Sequence, residues 1–456
     1  TNVTSVTSSA LSDLDTLATA ISDQEFINAT NLTTNAVSDS EIDITSSAGT
    51  IDSLDAIDEG SVDMTMASGA TINVAASEIE HMLADESAGR LTIGDQAITV
   101  TGEISVETAN LLDATTEGTV TATIEQSSVA SLTTLTGTNA YTIKIAASDA
   151  TAATASQLTA ISNATTEPVD ASGVTGLTLD NISNIKTLLT AGNDSSQFTE
   201  DSFGSLTTVE VSDGTLSGSD LAEAIDQANA ATGDTTTVFT ITAAVEITGT
   251  EEDFTALIAD ENAQQIDITN QNLTIDIGTT ISVATARSLS ETTEGTVTGT
   301  ITSGTTVAAM LDENTGLTGT DAYTITIAAE DEKVTAKDLT DLYSKTSVAV
   351  DANAVTQITG TVAEANIVYG AGDSEITGLG NEIVVTTDNS LTLESAGSST
   401  LAGLNTLDNK TVGMVNAASI QSITGLLADL LTAYGSNGIT GLDNEDIILS
   451  DKTVSV

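Results

Sequence analysis

The segment ITVTGEISVETANLLDATTEGTVTATI, residues 98–124, contains the pattern on which the fold depends. An alternating apolar and polar run leads to Ser105, then to the apolar residues Ala109 and Leu112, then to Gly118 and a second alternating run. A hydroxyl group can accept a hydrogen bond from the first turn of a helix, and a three-residue spacing puts two apolar side chains on one helical face. Glycine can adopt the left-handed conformation that ends many helices. The segment therefore predicts a strand, a capped short helix, a glycine stop and a second strand.

This pattern is repeated along the chain. Its clearest copies each end at a valine: Val62, Val120, Val169, Val297, Val350 and Val415. Each copy has a hydroxyl residue fifteen positions before its valine: Ser47, Ser105, Thr154, Ser282, Thr335 and Thr400. Repeated units of this kind usually stack, because a single unit cannot bury its own apolar face. The sequence therefore predicts a mainly β fold with short interspersed helices, arranged as an elongated, solenoid-like stack of strand, capped-helix and strand units.

Long blocks of the sequence are also duplicated. The string ATTEGTVTATI at 114–124 returns as ETTEGTVTGTI at 291–301, and LTGTNAYTIKIAASD at 135–149 returns as LTGTDAYTITIAAED at 317–331. Helical patterns lie between these copies, and strand patterns flank them, so parallel strands joined by crossovers are expected.

The duplication suggests how the chain is organised. We expect a first repeat block over residues 41–210 and a second, duplicated block over residues 211–456, which together form either two blocks or one continuous elongated domain. Residues 1–40 carry an apolar helical stretch and are predicted to be an N-terminal cap or an arm used in assembly.

Composition excludes several classes of function. The chain has 66 acidic and nine basic residues, a formal net charge of −57, which repels nucleic acid and anionic membrane surfaces. It has no cysteine, so disulfides and thiolate metal sites are excluded, and no apolar run is long enough to span a bilayer. The first residue is Thr1 rather than Met, which suits a processed secreted protein or an excised fragment.

No catalytic constellation is evident, and we expect that the protein is not an enzyme. The single histidine, His81, lacks a second histidine or a cysteine with which to build a metal site or a nucleophilic triad. Acidic residues do suit calcium, whose hard ligands are carboxylate and carbonyl oxygens. The candidate calcium ligands are Asp149, Asp331, Asp443 and Asp446. For each of them a solvated acidic turn is the simpler interpretation.

Threonine-rich strands such as TVTATI at 119–124 can present flat arrays of hydroxyl and methyl groups. Such arrays suit the binding of ice or of a glycan, although threonine is also an ordinary residue for the exposed face of a strand.

The last two units match closely. VDANAVTQITG at 350–360 becomes VNAASIQSITG at 415–425, and both continue through a helical pattern to a tyrosine, Tyr369 or Tyr434. The chain then ends in the strand-like tail DKTVSV, where a further unit would begin. We expect this end to expose unpaired strand edges, which invite another chain's strand.

These strings show a resemblance to a known group of proteins. KTVGMVNAASIQSITG at 410–425, VDASGVTGL at 169–177 and VDANAVTQITG at 350–360 resemble tandem repeats of very large secreted surface proteins of bacteria, especially cyanobacteria. The resemblance is clearest over residues 333–456. It implies a role in surface layers, fibres, adhesion or matrix, and it carries no catalytic residues.

The sequence therefore predicts an extracellular or cell-surface structural protein that self-assembles through its ends into a fibre or surface layer, with calcium as a candidate bridging ion. Its partners are expected to be copies of itself, with a surface glycan as a further candidate, and neither nucleic acid nor the membrane interior. The alternative is an adhesin-type binding module whose threonine-rich face binds a glycan or ice.

Overall fold

The computed structural model describes residues 41–43, 64–65, 68–89, 91–146, 153–233, 236–241, 245–393 and 399–450. For the first two of these segments only the backbone is described. The helix predicted within residues 1–40, the helix of the copy that ends at Val62, and Asp149 lie outside the described residues.

The fold is α/β, with 35% helix and 27% strand. The prediction of a mainly β, elongated solenoid-like stack is therefore wrong. The helices extend beyond the two apolar residues that predicted them. Polar residues on the exposed face of each helix lengthen it, and the apolar spacing does not register them. The strands form several separate sheets of two to five strands rather than one continuous stacked sheet.

The strands are short. In chain order they are β1 (Glu41–Asp43), β2 (Met64–Thr65), β3 (Thr71–Ala75), β4 (Leu91–Thr92), β5 (Ala97–Ile104), β6 (Val120–Ile124), β7 (Ala140–Thr142), β8 (Gly176–Asp180), β9 (Thr208–Val211), β10 (Thr215–Ser217), β11 (Val238–Ile241), β12 (Glu246–Gly249), β13 (Asn272–Ile275), β14 (Val297–Thr300), β15 (Ala322–Thr324), β16 (Lys333–Thr335), β17 (Val350–Asp351), β18 (Gln357–Gly360), β19 (Ile376–Thr377), β20 (Ile383–Thr386), β21 (Ser390–Leu391), β22 (Val415–Asn416), β23 (Ser422–Gly425), β24 (Ile439–Thr440) and β25 (Asp446–Leu449).

Helices lie between most of these strands. They are α1 (Ile79–Ser87), α2 (Val106–Thr115), α3 (Val129–Leu132), α4 (Ala155–Asn163), α5 (Ile182–Gly192), α6 (Gly218–Thr232), α7 (Glu251–Asn262), α8 (Val283–Thr292), α9 (Val307–Met310), α10 (Ala336–Tyr343), α11 (Val362–Ala371), α12 (Leu401–Lys410) and α13 (Leu427–Gly435). Two single turns of 3₁₀ helix, Ala76–Glu78 and Ala329–Asp331, complete the helical segments that the structure describes.

The chain divides into two compact units. The first comprises Thr1–Ser212 with Glu223–Thr242, and the second comprises Asp213–Ala222 with Ala243–Val456. The predicted division into residues 1–40, 41–210 and 211–456 stays a prediction.

Strand order follows chain order within each sheet. In the first unit the sheets are β1-β3-β5-β6-β7, β8-β9-β11 and β2-β4. In the second unit they are β10-β12-β13-β14-β15, β16-β18-β20-β22-β24, β17-β19 and β21-β23-β25. Every pairing between the described strands is parallel, as the crossover connections predicted.

The predicted helix caps are confirmed wherever they are described. A side-chain oxygen at the N-cap accepts a hydrogen bond from the first helical turn at Ser105, Thr154, Ser282, Thr335 and Thr400. Thr154 and Gln157 form a capping box, and Thr250 forms another with Asp253. At the start of α6 the Ser217 hydroxyl accepts from the Asp220 N–H at 3.3 Å.

The apolar pairs also lie where the spacing predicts. Among the second members of the pairs, Leu112, Ile161, Leu289, Leu342 and Leu407 are fully buried. On the strands, the inward row through Ile72, Ile98 and Val120 is equally buried, and its members face one another in register. The helices therefore pack their apolar faces onto one side of the parallel sheets.

The glycine two positions before the valine has a different role from the one predicted. Gly118, Gly295 and Gly413 are not among the glycines with positive φ, so a left-handed helix stop is wrong at these positions. A Cβ at these positions would collide with the backbone carbonyl of Gln96, Gln271 or Glu382 respectively. Glycine is required there because the chain passes directly against the backbone of the preceding strand or the residue before it.

A threonine four positions before the valine, which the sequence reading missed, closes the same corner. It is buried in every described copy, as Thr116, Thr165, Thr293, Thr346 and Thr411. Its hydroxyl donates to a backbone carbonyl in or just before the preceding strand, at 2.7 Å for Thr165 on Tyr141 and 2.6 Å for Thr346 on Tyr323. The recurrence of this threonine was visible in the sequence, but its partner carbonyl was not.

Candidate functional site

The candidate site is the last layer that the structure describes, which we call the C-terminal layer: α13, β24 and β25. Strand β25 is the edge of its sheet and pairs only with β23 among the described strands. Its burial pattern is unlike that of any strand inside the unit, because all four residues, Asp446–Leu449, are exposed. This apolar strand edge is the feature on which a functional hypothesis can rest.

An internal copy of the same layer shows what is unusual about it. Helix α11 precedes α13 by 65 positions, and β20 precedes β25 by 63 in the matched strings NEIVVT and NEDIIL. In the internal copy Val384 is 0% exposed, whereas its counterpart Ile447 is 49% exposed. The difference arises because β22 pairs with β20 on its far side, through Val415 opposite Val384, and no described strand does this for β25.

The helices show the same contrast. The fifth residue of α11, Asn366, donates its Nδ2 to the Gly403 carbonyl of α12 at 2.8 Å. The fifth residue of α12, Asn405, donates to the Asp429 carbonyl of α13 at 3.0 Å. In α13 that position is Leu431, which is 68% exposed. The hydrogen bonds from α11 to α12 and from α12 to α13 therefore have no counterpart in α13, where the same position is an exposed leucine.

The same kind of contact recurs in the first half of the sequence and in its duplicate. Asn110, the fifth residue of α2, donates to the Thr134 carbonyl at 2.8 Å. Its duplicate Arg287 in α8 donates to the Gly316 carbonyl at 3.2 Å. The fifth helical position is therefore the one that faces the following segment of chain, which makes an exposed leucine there informative.

The start of α13 also departs from its internal copy. Its N-cap residue is Leu426, which makes no side-chain cap and is exposed. The matching residue of the internal copy, Thr361, forms a capping box with Glu364. Leucine at an N-cap costs stability relative to threonine, so its presence favours a role outside the monomer's own stability.

One polar contact is conserved between the two layers. The Tyr369 hydroxyl donates to Glu382 at 2.9 Å in the internal copy, and the Tyr434 hydroxyl donates to Glu445 at 2.6 Å in the C-terminal layer. Burial and then the neighbouring Glu445 carboxylate raise the pKa of Tyr434 to about 12. Partial burial opposes ionisation of Glu445, but the hydrogen bonds from Tyr434 and from backbone N–H groups outweigh it and lower its pKa.

A cleft of about 360 Å³ opens beside this layer. It is lined by apolar and hydroxyl-bearing side chains and by one carboxylate: Thr392, Leu393, Thr400, Leu401, Thr424, Leu426 and Asp429. Leu393 and Leu426 are both exposed, so the cleft extends the apolar surface of α13 toward β21.

Of the four predicted calcium ligands, Asp331, Asp443 and Asp446 lie within the described residues. The Asp331 carboxylate accepts from the Val307 N–H at 2.7 Å and so caps the start of α9. Asp443 donates its N–H to Glu445, and Asp446 begins β25. Across the described residues, no three His, Cys, Asp or Glu side chains are arranged to hold a metal ion. His81 lies exposed on α1.

The threonine-rich strands do lie side by side. Ser217, Thr248, Thr274 and Thr298 face one another in register on four neighbouring parallel strands. This forms a row of hydroxyl residues, in which the Thr274 hydroxyl donates to Glu246 at 2.8 Å.

Comparison with known proteins adds no assignment: no protein-family model matches the chain, and no curated protein matches it. In the described part of the chain, no helix is both long and apolar enough to cross a membrane.

Proposed function

We propose that this is an extracellular structural protein that self-associates through its C-terminal layer into a fibre or surface layer. The observation that carries the proposal is the exposed strand β25 together with the exposed Leu431 of α13, in a layer whose internal copy buries Val384. A contiguous apolar strand edge is an interaction surface, because burial of each half-exposed leucine or isoleucine contributes roughly 1 kcal/mol to association.

The charge of the chain determines when association can occur. Two chains of net charge −57 repel each other, and the range of that repulsion falls from about 30 Å at 0.01 M salt to about 3 Å at 1 M. Association is therefore expected to need salt. Calcium would act beyond this screening only if it also bridges carboxylates of two chains.

The test is sedimentation velocity with electron microscopy at low and high ionic strength, with calcium and then with chelator. We expect separate chains at low salt and filaments or sheets at high salt. Their loss in chelator at constant ionic strength would make calcium part of the contact.

Two variants distinguish association through this surface from nonspecific association of exposed apolar residues. Ile447→Asp combined with Leu431→Asp should abolish association at high salt. The matched control is Ile277→Asp, because Ile277 is a fully exposed isoleucine outside the C-terminal layer. It should associate like the wild type, and equal loss in both proteins would contradict the proposal.

A binding module is the second candidate, and the in-register row from Ser217 to Thr298 favours it. Parallel strands repeat at about 4.8 Å, so this row presents hydroxyl groups at a regular spacing suited to a glycan or ice surface. Separate chains under every condition of the experiment above would favour this candidate over self-association.

A further inference from the structure

We propose that a second copy of the chain adds its strand β1 beside β25, parallel and head to tail. The inference rests on the proposed function and specifies its geometry and its partner. It excludes a closed dimer in which two C-terminal layers meet.

Strand order provides the first argument. Because strand order follows chain order in every sheet, the free edge of β25 is the edge on which a following strand would pair. Strand β1 pairs with β3 on one side and with no described strand on the other, so its free edge is the one on which a preceding strand would pair. The edge of β25 that lacks a following strand therefore matches the edge of β1 that lacks a preceding strand.

Strand polarity provides the second. Every described pairing is parallel, and β1 placed next to β25 continues that arrangement. A two-fold pairing of β25 with its own copy that keeps the apolar face on one side makes the strands antiparallel. That pairing would be the only antiparallel one among the strands described.

Register provides the third. Ile447 lies opposite Ile423, and Ile42 lies opposite Ile72. Ile423 and Ile72 are both fully buried members of inward rows. Placing Ile42 opposite Ile447 continues the register of both sheets and pairs a strand on the far side of β25, as Val415 pairs beside Val384 in the internal copy.

The internal copy also indicates what should follow the added strand. In the sequence, β1 is followed by Ser47, Ile51 and Leu54, at the spacing that forms the capped helix α2 at Ser105. A second copy thus carries the strand that this edge lacks, followed by residues with the spacing of α2. Such a contact uses two different surfaces, so it adds copies head to tail, as a ring or an open filament, and not as a two-fold dimer.

Charge opposes this contact at low salt. Strand β1 carries Glu41 and Asp43, and β25 begins with Asp446. Like charges on neighbouring strands are destabilising, so the contact itself is expected to require screening.

The chain has no cysteine, so introduced cysteines report the contact directly. Neighbouring strands place opposed Cα atoms about 5 Å apart, within the range of about 4.4–6.8 Å that a disulfide spans. We would oxidise the double variant Ile42→Cys with Ile447→Cys, each single variant, and an equimolar mixture of the two singles, all at high salt. Circular dichroism and thermal unfolding check that each variant is folded.

We expect a ladder of cross-linked oligomers from the double variant, dimers alone from the mixture, and no cross-linked product from either single variant. Dimers from Ile447→Cys alone would overturn the head-to-tail contact in favour of a two-fold one. Wild-type filaments without any cross-link in the double variant or the mixture would overturn β1 as the partner while leaving self-association intact. Separate wild-type chains at high salt would instead overturn the proposed function itself.

Discussion

The internal layer and the C-terminal layer are two copies of one sequence pattern in opposite surroundings. Val384 and Ile447 occupy the same position, yet one is 0% and the other 49% exposed. Both layers keep the tyrosine to glutamate hydrogen bond, so the local structure is the same. The repeated sequence pattern therefore specifies the helix and strands of a layer, whereas the neighbouring segment of chain decides which of their residues are buried.

Two differences between the copies remove contacts to the next layer. In the internal copy Thr386 donates its hydroxyl to the Asn416 carbonyl at 3.3 Å, and Asn366 donates to the next helix. Their counterparts in the C-terminal layer are the exposed Leu449 and Leu431. Polar groups that bond to a following layer are thus replaced by leucines, which bury well against any complementary apolar surface and need no specific hydrogen-bond partner.

The largest expected effect distinguishes the two strands directly. Val384→Asp places a carboxylate in the core and should lower the free energy of unfolding by at least about 3 kcal/mol. Ile447→Asp should change it by less than about 1 kcal/mol, since Ile447 is half exposed. Urea unfolding at low ionic strength, where the chains stay apart, measures both. Equal destabilisation would show that Ile447 is covered within the monomer.

A smaller effect is expected at the helix caps. Thr361→Ala removes a capping box and should destabilise the second unit by about 1 kcal/mol. Leu426→Thr should have the opposite effect and stabilise it by up to about 1 kcal/mol, because Asp429 stands where Asp253 completes the box of Thr250. Thermal unfolding measures the change in stability of each variant. A loss of stability in Leu426→Thr would mean that Leu426 packs within the monomer.

The smallest effect is a pH dependence of the C-terminal layer. The folded-state pKa of Tyr434 is raised to about 12, so its hydrogen bond to Glu445 contributes below the unfolded value of 10 and is lost as pH rises through about 12. Glu445 has a lowered pKa, so its contribution is present above 4.5 and is lost as pH falls through the folded value.

The variant Tyr434→Phe should remove one phenol with this high pKa from the ultraviolet titration of the chain. It should also flatten the alkaline loss of stability between pH 10 and about 12. A Tyr434 phenol that titrates near its ordinary value would contradict the hydrogen bond to Glu445.

The sequence predicted the local structure well and the fold class poorly. A hydroxyl at Ser105 or Thr154 specifies a helix start through contacts within four residues, so spacing alone is sufficient. The number of helical residues and the division of strands into separate sheets depend on contacts between segments about 19 to 37 residues apart, which the spacing does not report. The roles of Gly118 and Thr116 were hidden for the same reason, since both act on the backbone at Gln96.

The candidate interface was predicted only in outline. The tail of the sequence, residues 451–456, indicated an open strand edge but lies outside the described residues, and β25 is the last edge strand described before it. The sequence did not indicate that Leu431 is exposed. This followed from the structure, in which the equivalent residue Asn405 donates its amide to α13.

The duplicated tyrosines show the limit most clearly. Around Tyr141, the Asn139 amide donates to the Asp113 carboxylate at 2.8 Å while its oxygen accepts from the Val120 N–H. The tyrosine hydroxyl itself donates to the Ala109 carbonyl at 3.2 Å. The acidic group of this first cluster is therefore on helix α2.

Around Tyr323 equivalent contacts are made, but the acidic residue lies at a different position. The Asp321 carboxylate accepts from the Ser290 hydroxyl and from the Val297 N–H, and the tyrosine donates to the Ala286 carbonyl at 2.9 Å. Here the acidic group precedes strand β15, and the helix supplies the hydroxyl instead.

The sequence by itself determined that both tyrosines belong to a repeated unit, that hydroxyls begin its helices, and that its strands alternate. Only the tertiary structure showed that the exchanged residues of the two clusters are partners, because they lie on different elements and meet through packing. The same reason applies to the C-terminal layer. Local spacing determines an element, whereas burial is a property of the segment that covers it.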